Sequence, residues 1–281
     1  MSSRLPSAQR AVVKMIFDPS FAAAVRAGSA NLSDIDTSMR AQLAAVDPRA
    51  LKLDRYLRER TLRTLFDELT SSMTLALAET GSYGFLLQFF SSPFFHRAID
   101  ESSALVFAFT DYLADAQAHD RLKAPLFNDV LRLETASAGA RRAIDSATSI
   151  TRADLEHAAT LTLAPSVTPI ELDSAALSLI QETEQHLFAV GMMPAMSLCD
   201  DAPALAFDQP TSGERTHIMV VSLGGQVSLV TIDRELQLAA EACVQRGTFA
   251  EVLAACLARG LSEPIAREKL GELADGDLLI S

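Results

Sequence analysis

The side chains able to do chemistry in this sequence are scattered rather than gathered. Glu182 and His186 stand one helical turn apart and could share a metal ion, but two ligands are too few for a zinc or iron site, so a solvated helix face is the stronger reading. His96, in the run PFFHRAIDE, has Asp100 four residues on, a spacing that suits a hydrogen-bonded pair in the core or a contact at an interface. Cys199 is followed by Asp200 and Asp201, with no cation or base beside it to favour a nucleophilic thiolate. Cys243 and Cys256 fall at apolar helix positions and read as small core residues. The sequence holds no H-E-x-x-H, no G-x-S-x-G and no glycine-rich phosphate loop. The expectation is therefore a chain that is not an enzyme on its own, with no catalytic residue and no metal ligand set.

Charge narrows the classes further. The formal net charge of -12 repels phosphate backbones, which disfavours nucleic acid as a partner. The three cysteines form no C-x-x-C pair and are odd in number, against both a disulfide framework and a structural zinc site. Gln9, Arg10 and Lys14 interrupt the first apolar stretch, and no run approaches the roughly 18 to 20 apolar residues of a membrane span. A cytoplasmic chain with no membrane partner is expected.

The elements that would position any site divide the chain. Residues 1–150 read as helix, with Leu57, Leu62, Leu65, Phe66, Leu69 and Met73 forming one apolar stripe at three- and four-residue spacing. Ser33 ahead of Asp36 reads as a capping box. The aromatics concentrate between positions 81 and 116, where paired serines and Pro93 cut the run into short helices that should form the N-terminal core. Between positions 49 and 63, Arg49, Lys52, Arg55, Arg58, Arg60 and Arg63 face only Asp54 and Glu59, a basic stretch that suits either an acidic partner surface or a solvated helix with i,i+4 pairs.

Residues 151–202 read as connecting structure: one or two short edge strands around Pro165 and Pro169, then a helix capped by Asp173 and closed at Gly191. Residues 203–281 change grammar. THIMVVSL and QVSLVTI flank Gly224-Gly225, a strong hairpin signal, and residues 204–207 offer a short third strand. Three helices follow, opened by Asp233, by a Thr248/Glu251 capping box and by Ser262 with Pro264 in the first turn. The whole is α+β: a helical N-terminal domain, then a winged-helix-like module of hairpin or three-stranded sheet plus three helices.

Such a module invites a DNA reading, and an acidic winged-helix transcriptional regulator is the alternative function. From 204 to 281, however, six Lys or Arg stand against eleven Asp or Glu, the wrong sign for a helix in the major groove. An edge strand beside the third helix has a second use. An extended peptide can add to it, with backbone bonds giving affinity and alternate side chains giving register.

The runs YLRERTLRTLFDEL and FLLQFFSSPFFHRAIDESSALVFAFTDYL, with HIMVVSLGGQVSLVTI, TFAEVLAACLARG and EKLGELADGDLLI, resemble the partner proteins of the multinuclear non-haem iron-dependent oxidative enzymes that modify ribosomally made peptides. The methanobactin and thiaglutamate pathways hold the members in mind, and the length here favours the thiaglutamate type. The resemblance implies a heterodimer with a TIM-barrel iron enzyme, with the iron in that enzyme and no cofactor in this chain. It also implies that the leader of a precursor peptide lies as a strand in the C-terminal module. Carried onto this sequence, peptide contacts fall on Val227, Leu229 and Thr231 or their alternates, and on Ile265 and Lys269. Partner contacts fall on Arg55, Arg58 and His96.

Overall fold

A computed structural model describes residues 6–51, 54–143, 148–189, 212–223 and 225–281. The protein is α+β, helical in its N-terminal part and closed by a three-stranded antiparallel sheet with helices. Two compact units result: Met1–Leu131 with Leu179–Gln209, and Arg132–Ser178 with Pro210–Ser281.

The first unit is built from α1 (Ser7–Phe17), α2 (Pro19–Arg26), α3 (Thr37–Ala44), α4 (Asp54–Glu68), α5 (Thr70–Thr80), α6 (Tyr83–Leu87), α7 (Pro93–Glu101) and α8 (Leu105–Ala118). The chain leaves this unit within α9 (Phe127–Arg142) and re-enters it within α10 (Ser174–Ala189). Of the expected stripe, Leu62, Leu65, Phe66, Leu69 and Met73 lie in the core and Leu57 is half-buried, and the backbone breaks at Leu69 between α4 and α5. The aromatic segment is the centre of the unit. Phe89 meets Phe90 at 5.4 Å, Phe95 at 5.6 Å and Phe109 at 4.9 Å between ring centroids, the last two edge to face. Each such pair adds about 1 kcal/mol to the area it buries. One local expectation fails here. Asp36, not Ser33, caps α3, because its own carboxylate reaches the Met39 amide at 2.9 Å.

The second unit holds β1 (Thr162–Leu163), β2 (Val167–Asp173), β3 (Arg215–Leu223), β4 (Gln226–Ile232) and β5 (Leu279–Ile280), with α11 (Arg234–Ala242), α12 (Phe249–Ala258) and α13 (Glu263–Asp275). The hairpin forms where the two glycines predict it, with Leu223 opposite Gln226 and Gly225 at φ 85°. The sheet order is β2-β3-β4, all antiparallel, and β1 pairs with β5 in a second small sheet. Thus the third strand comes from residues 167–173, where a short edge strand is expected around Pro165 and Pro169 within the connecting stretch; residues 204–207 lie outside the described residues, as do Gly191 and Cys199. Ser222 N–H donates to Ser166 O, and Ala164 N–H to Leu278 O, tying the earlier stretch into the module.

The three helices begin as the sequence predicts. Asp233 accepts from Leu236 N–H at 2.7 Å, Thr248 and Glu251 form a reciprocal capping box, and Ser262 precedes Pro264 at the start of α13. Their inner faces, with Ala239, Ala240, Val252, Cys256, Ala266, Leu270 and Leu273, form one apolar cluster with Met219 and Val221 of β3 and Val167 of β2. At about 2 kcal/mol for each fully buried leucine, this cluster is what packs α13 against α11 and α12. Arg152 lies flat over Gly271 of α13, in space a Cβ would fill, and bonds the Glu268 carbonyl at 3.3 Å.

Candidate functional site

Among the described residues β4 has β3 on one side and no strand on the other. Which of its groups face that open edge follows from the register. The pair flanking a two-residue hairpin turn is hydrogen-bonded, and pair types alternate from there in an antiparallel ladder. Leu223/Gln226, Val221/Ser228 and Met219/Val230 are therefore bonded pairs, whereas Ser222/Val227, Val220/Leu229 and Ile218/Thr231 are not. The Ser222 amide agrees, since it points away from β4 to Ser166. The N–H and C=O groups of Val227, Leu229 and Thr231 accordingly aim out of the sheet, where a further strand would take them.

The same register sorts the side chains. Val227, Leu229 and Thr231 share a face with the buried Ile218 and Val220. Ser228, Val230 and Ile232 share the face of Met219 and Val221, the one covered by the cluster that contains α13. Of the residues expected to meet a peptide, Val227, Leu229 and Thr231 are the ones whose backbone groups face outward, while the side chains turned toward the helix layer are their alternates. Leu229 is 48% exposed and Val230 47%, so each face of the strand carries an exposed apolar side chain.

On α13, Ile265 and Lys269 lie one turn apart, and Ile265 is 39% exposed. Lys269 is not a free contact. Its ammonium donates to Asp233 Oδ2 at 2.8 Å and Glu272 Oε1 at 3.0 Å, bracing α13 against the residue that follows β4 and caps α11. The Asp233 hydrogen bond, then that of Glu272, holds the lysine above its ordinary range, and Lys269 in turn holds the Asp233 carboxyl below its own. Asp233 was legible only as a helix cap; its second role needs α13 beside it.

The residues expected at a partner surface fall in the first unit. Arg55 belongs to α4, but its side chain lies outside the described residues; Arg58 is half-buried on α4. His96, on α7, does not pair with Asp100. Its Nε2 lies 2.9 Å from Asp18 Oδ2, and its ring meets Phe21 edge to face at 5.2 Å. Asp100 faces α1 instead, accepting from Lys14 at 2.7 Å. Asp18 also accepts from Ser91 at 2.8 Å and caps α2 through Ser20 N–H. Burial by itself raises the Asp18 carboxyl, but bonds from His96, Ser91 and the Phe21 and Ser20 amides outweigh it and hold the group low.

A cleft of about 220 Å³ in the second unit is lined by Arg152, Leu155, Glu156, His157, Phe249 and Arg267. Both of its arginines are already engaged: Arg152 pairs with Asp275 at 3.0 Å, and Arg267 pairs with Glu156 and with Glu263 at 3.0 Å and stacks over Phe249. Among the described residues no three His, Cys, Asp or Glu side chains are grouped to hold a metal ion. Among them, too, no helix is long and apolar enough to cross a membrane. No protein-family model matches this sequence, and no curated protein matches it.

Proposed function

We propose that this chain is a non-catalytic partner subunit that binds the leader of a ribosomally made precursor peptide by strand addition to β4. In this reading it presents the precursor's cysteine to a separate TIM-barrel, multinuclear iron oxidative enzyme. The observation that carries the peptide-binding half is the outer edge of β4, where Val227, Leu229 and Thr231 aim their backbone groups outward between exposed apolar side chains. An uncovered apolar edge is an aggregation hazard unless it has an occupant. Main-chain bonds from an extended peptide satisfy the edge, and side chains in the flanking grooves give selectivity. The resemblance of the helical runs to partners of such oxidative enzymes supports the other half.

A subunit of this kind needs no catalytic residue. Holding the leader makes the encounter of the cysteine with the enzyme intramolecular, at roughly millimolar effective concentration for a short flexible tether. Binding energy remote from the reacting atom then serves its orientation.

The test is co-purification of this chain with an iron enzyme encoded beside its gene, followed by titration of the leader of a neighbouring small peptide. A stable heterodimer whose leader affinity is lost in Leu229→Pro supports the reading. No complex and no leader binding, with salt-sensitive binding to duplex DNA instead, would identify a regulator and overturn it.

A further inference from the structure

We infer that β4 selects an extended peptide with lysine or arginine at the N-terminal end of its bound segment, followed by two adjacent apolar residues. This inference rests on the strand-addition reading and names the chemistry of the occupant.

The first observation is that charge is distributed unequally between the two ends of the sheet, with Asp233, Glu235 and Glu272 nearest the open edge and the β2 carboxylates two strands away. At the hairpin end, where β2 begins at Val167, β3 ends at Leu223 and β4 begins at Gln226, the strands carry no charged residue. The opposite end is acidic. There β2 finishes with Glu171 and Asp173, and β3 is entered through Glu214, against Arg215, which pairs with Glu171 at 3.6 Å, and Arg132, which bonds the Glu171 carbonyl at 3.1 Å. Beyond β4 come Asp233 and Glu235, with Glu272 brought alongside by α13, against Arg234 and Lys269. Lys269 is held between two of those carboxylates, so its charge is already matched. The surplus at this end is negative, and a cation arriving there gains at short range what an anion loses.

The second observation is the pair of exposed residues at mid-strand. Leu229 and Val230 are successive, so they point to opposite faces of the sheet, and both are about half exposed. An added strand covers them with two successive residues of its own, one on each face, and apolar side chains there remove the most surface from water. Strand β4 itself, Gln226–Ile232, is uncharged, so the middle of the edge offers nothing to a charged side chain.

Direction follows from pairing. Antiparallel ladders are the more stable kind, and every pair in this sheet is antiparallel. An added strand that keeps the pattern runs opposite to β4, so its N-terminal end lies beside Asp233 and the acidic end.

Three acetylated and amidated nonapeptides test this on the full chain by fluorescence anisotropy. The first reads Lys-Lys-Ser-Val-Val-Thr-Ser-Gly-Ser, the second is the same composition in reverse order, and in the third glutamate replaces both lysines. The first is expected to bind about tenfold tighter than either other, and the gap is expected to shrink in high salt and in Glu272→Gln. Equal affinities, all lost in Leu229→Pro, would overturn the charge and direction inference while leaving strand addition standing. Tighter binding of the reversed peptide would overturn the antiparallel direction. Failure of all three to bind overturns this inference and the reading beneath it together.

Discussion

Val220 of β3 stands directly opposite Leu229 of β4, in a pair that exchanges no backbone hydrogen bonds. The amide of Leu229 is therefore aimed at the open edge, one residue away from Ser228, whose amide belongs to the ladder. Proline distinguishes the two positions, because it removes a donor without adding charge.

Leu229→Pro is expected to leave the stability of the chain within about 1 kcal/mol, since only an outward donor is lost. Ser228→Pro breaks the bond to Val221 and is expected to cost about 2 kcal/mol or more. Urea denaturation of both variants checks the assignment. Equal destabilisation by the two would mean that the edge register is wrong.

The brace between Lys269 and Asp233 is short, but both groups remain within reach of water. A double-mutant cycle with Lys269→Met and Asp233→Asn is expected to give a coupling of about 1 kcal/mol or less. Leu270→Ala, in the buried stripe of the same helix, is expected to cost about 3 kcal/mol. A coupling larger than the cost at Leu270 would mean that charge, not burial, holds α13.

Burial, and then the neighbouring Cys256 thiol, pushes the Cys243 thiol from 9.0 up to about 12. A group whose folded pKa is raised contributes stability that is complete below its unfolded pKa and is lost as pH climbs toward the folded value. The native chain is thus expected to lose stability between pH 9 and about 12, and Cys243→Ala to make that decline shallower. Mass-spectrometric mapping with a thiol reagent at neutral pH should find Cys243 and Cys256 unmodified until the chain unfolds.

Asp18 caps α2 and receives Ser91 and His96, so Asp18→Ala removes a cap and strands two polar partners. The expected cost at neutral pH is about 2 to 3 kcal/mol. Because the folded carboxyl lies below the ordinary value of 3.8, this contribution is present above that pH and is lost as pH falls through the lower, folded value. The gap between wild type and variant should therefore narrow in chemical denaturation at acid pH; a gap unchanged there would assign the effect to packing alone.

What could be read directly from the residues was local. Gly224-Gly225 fixes a hairpin because a two-residue turn needs backbone freedom that glycine supplies, and the Thr248/Glu251 box needs only atoms three residues apart. The buried stripe through Leu62, Phe66 and Met73 was legible for the same reason, a helical period repeated over several turns. The outward set Val227, Leu229 and Thr231 was within reach too, since alternation along a strand leaves only two choices.

Only the tertiary structure decided between those choices and supplied the distant partners. Residues 167–173, far from the hairpin in sequence, became the third strand, and no local pattern marks a pairing closed by so long a loop. His96 took Asp18 rather than Asp100 because α1 and α2 fold back beside α7, where Lys14 claims Asp100. Asp233, a cap by sequence, became a brace once burial of Leu270 and Leu273 set α13 beside it. Sequence by itself determined the elements and their ends, through contacts a few residues long. The partners of each side chain waited on packing, because apolar burial brings distant segments together without regard to their separation along the chain.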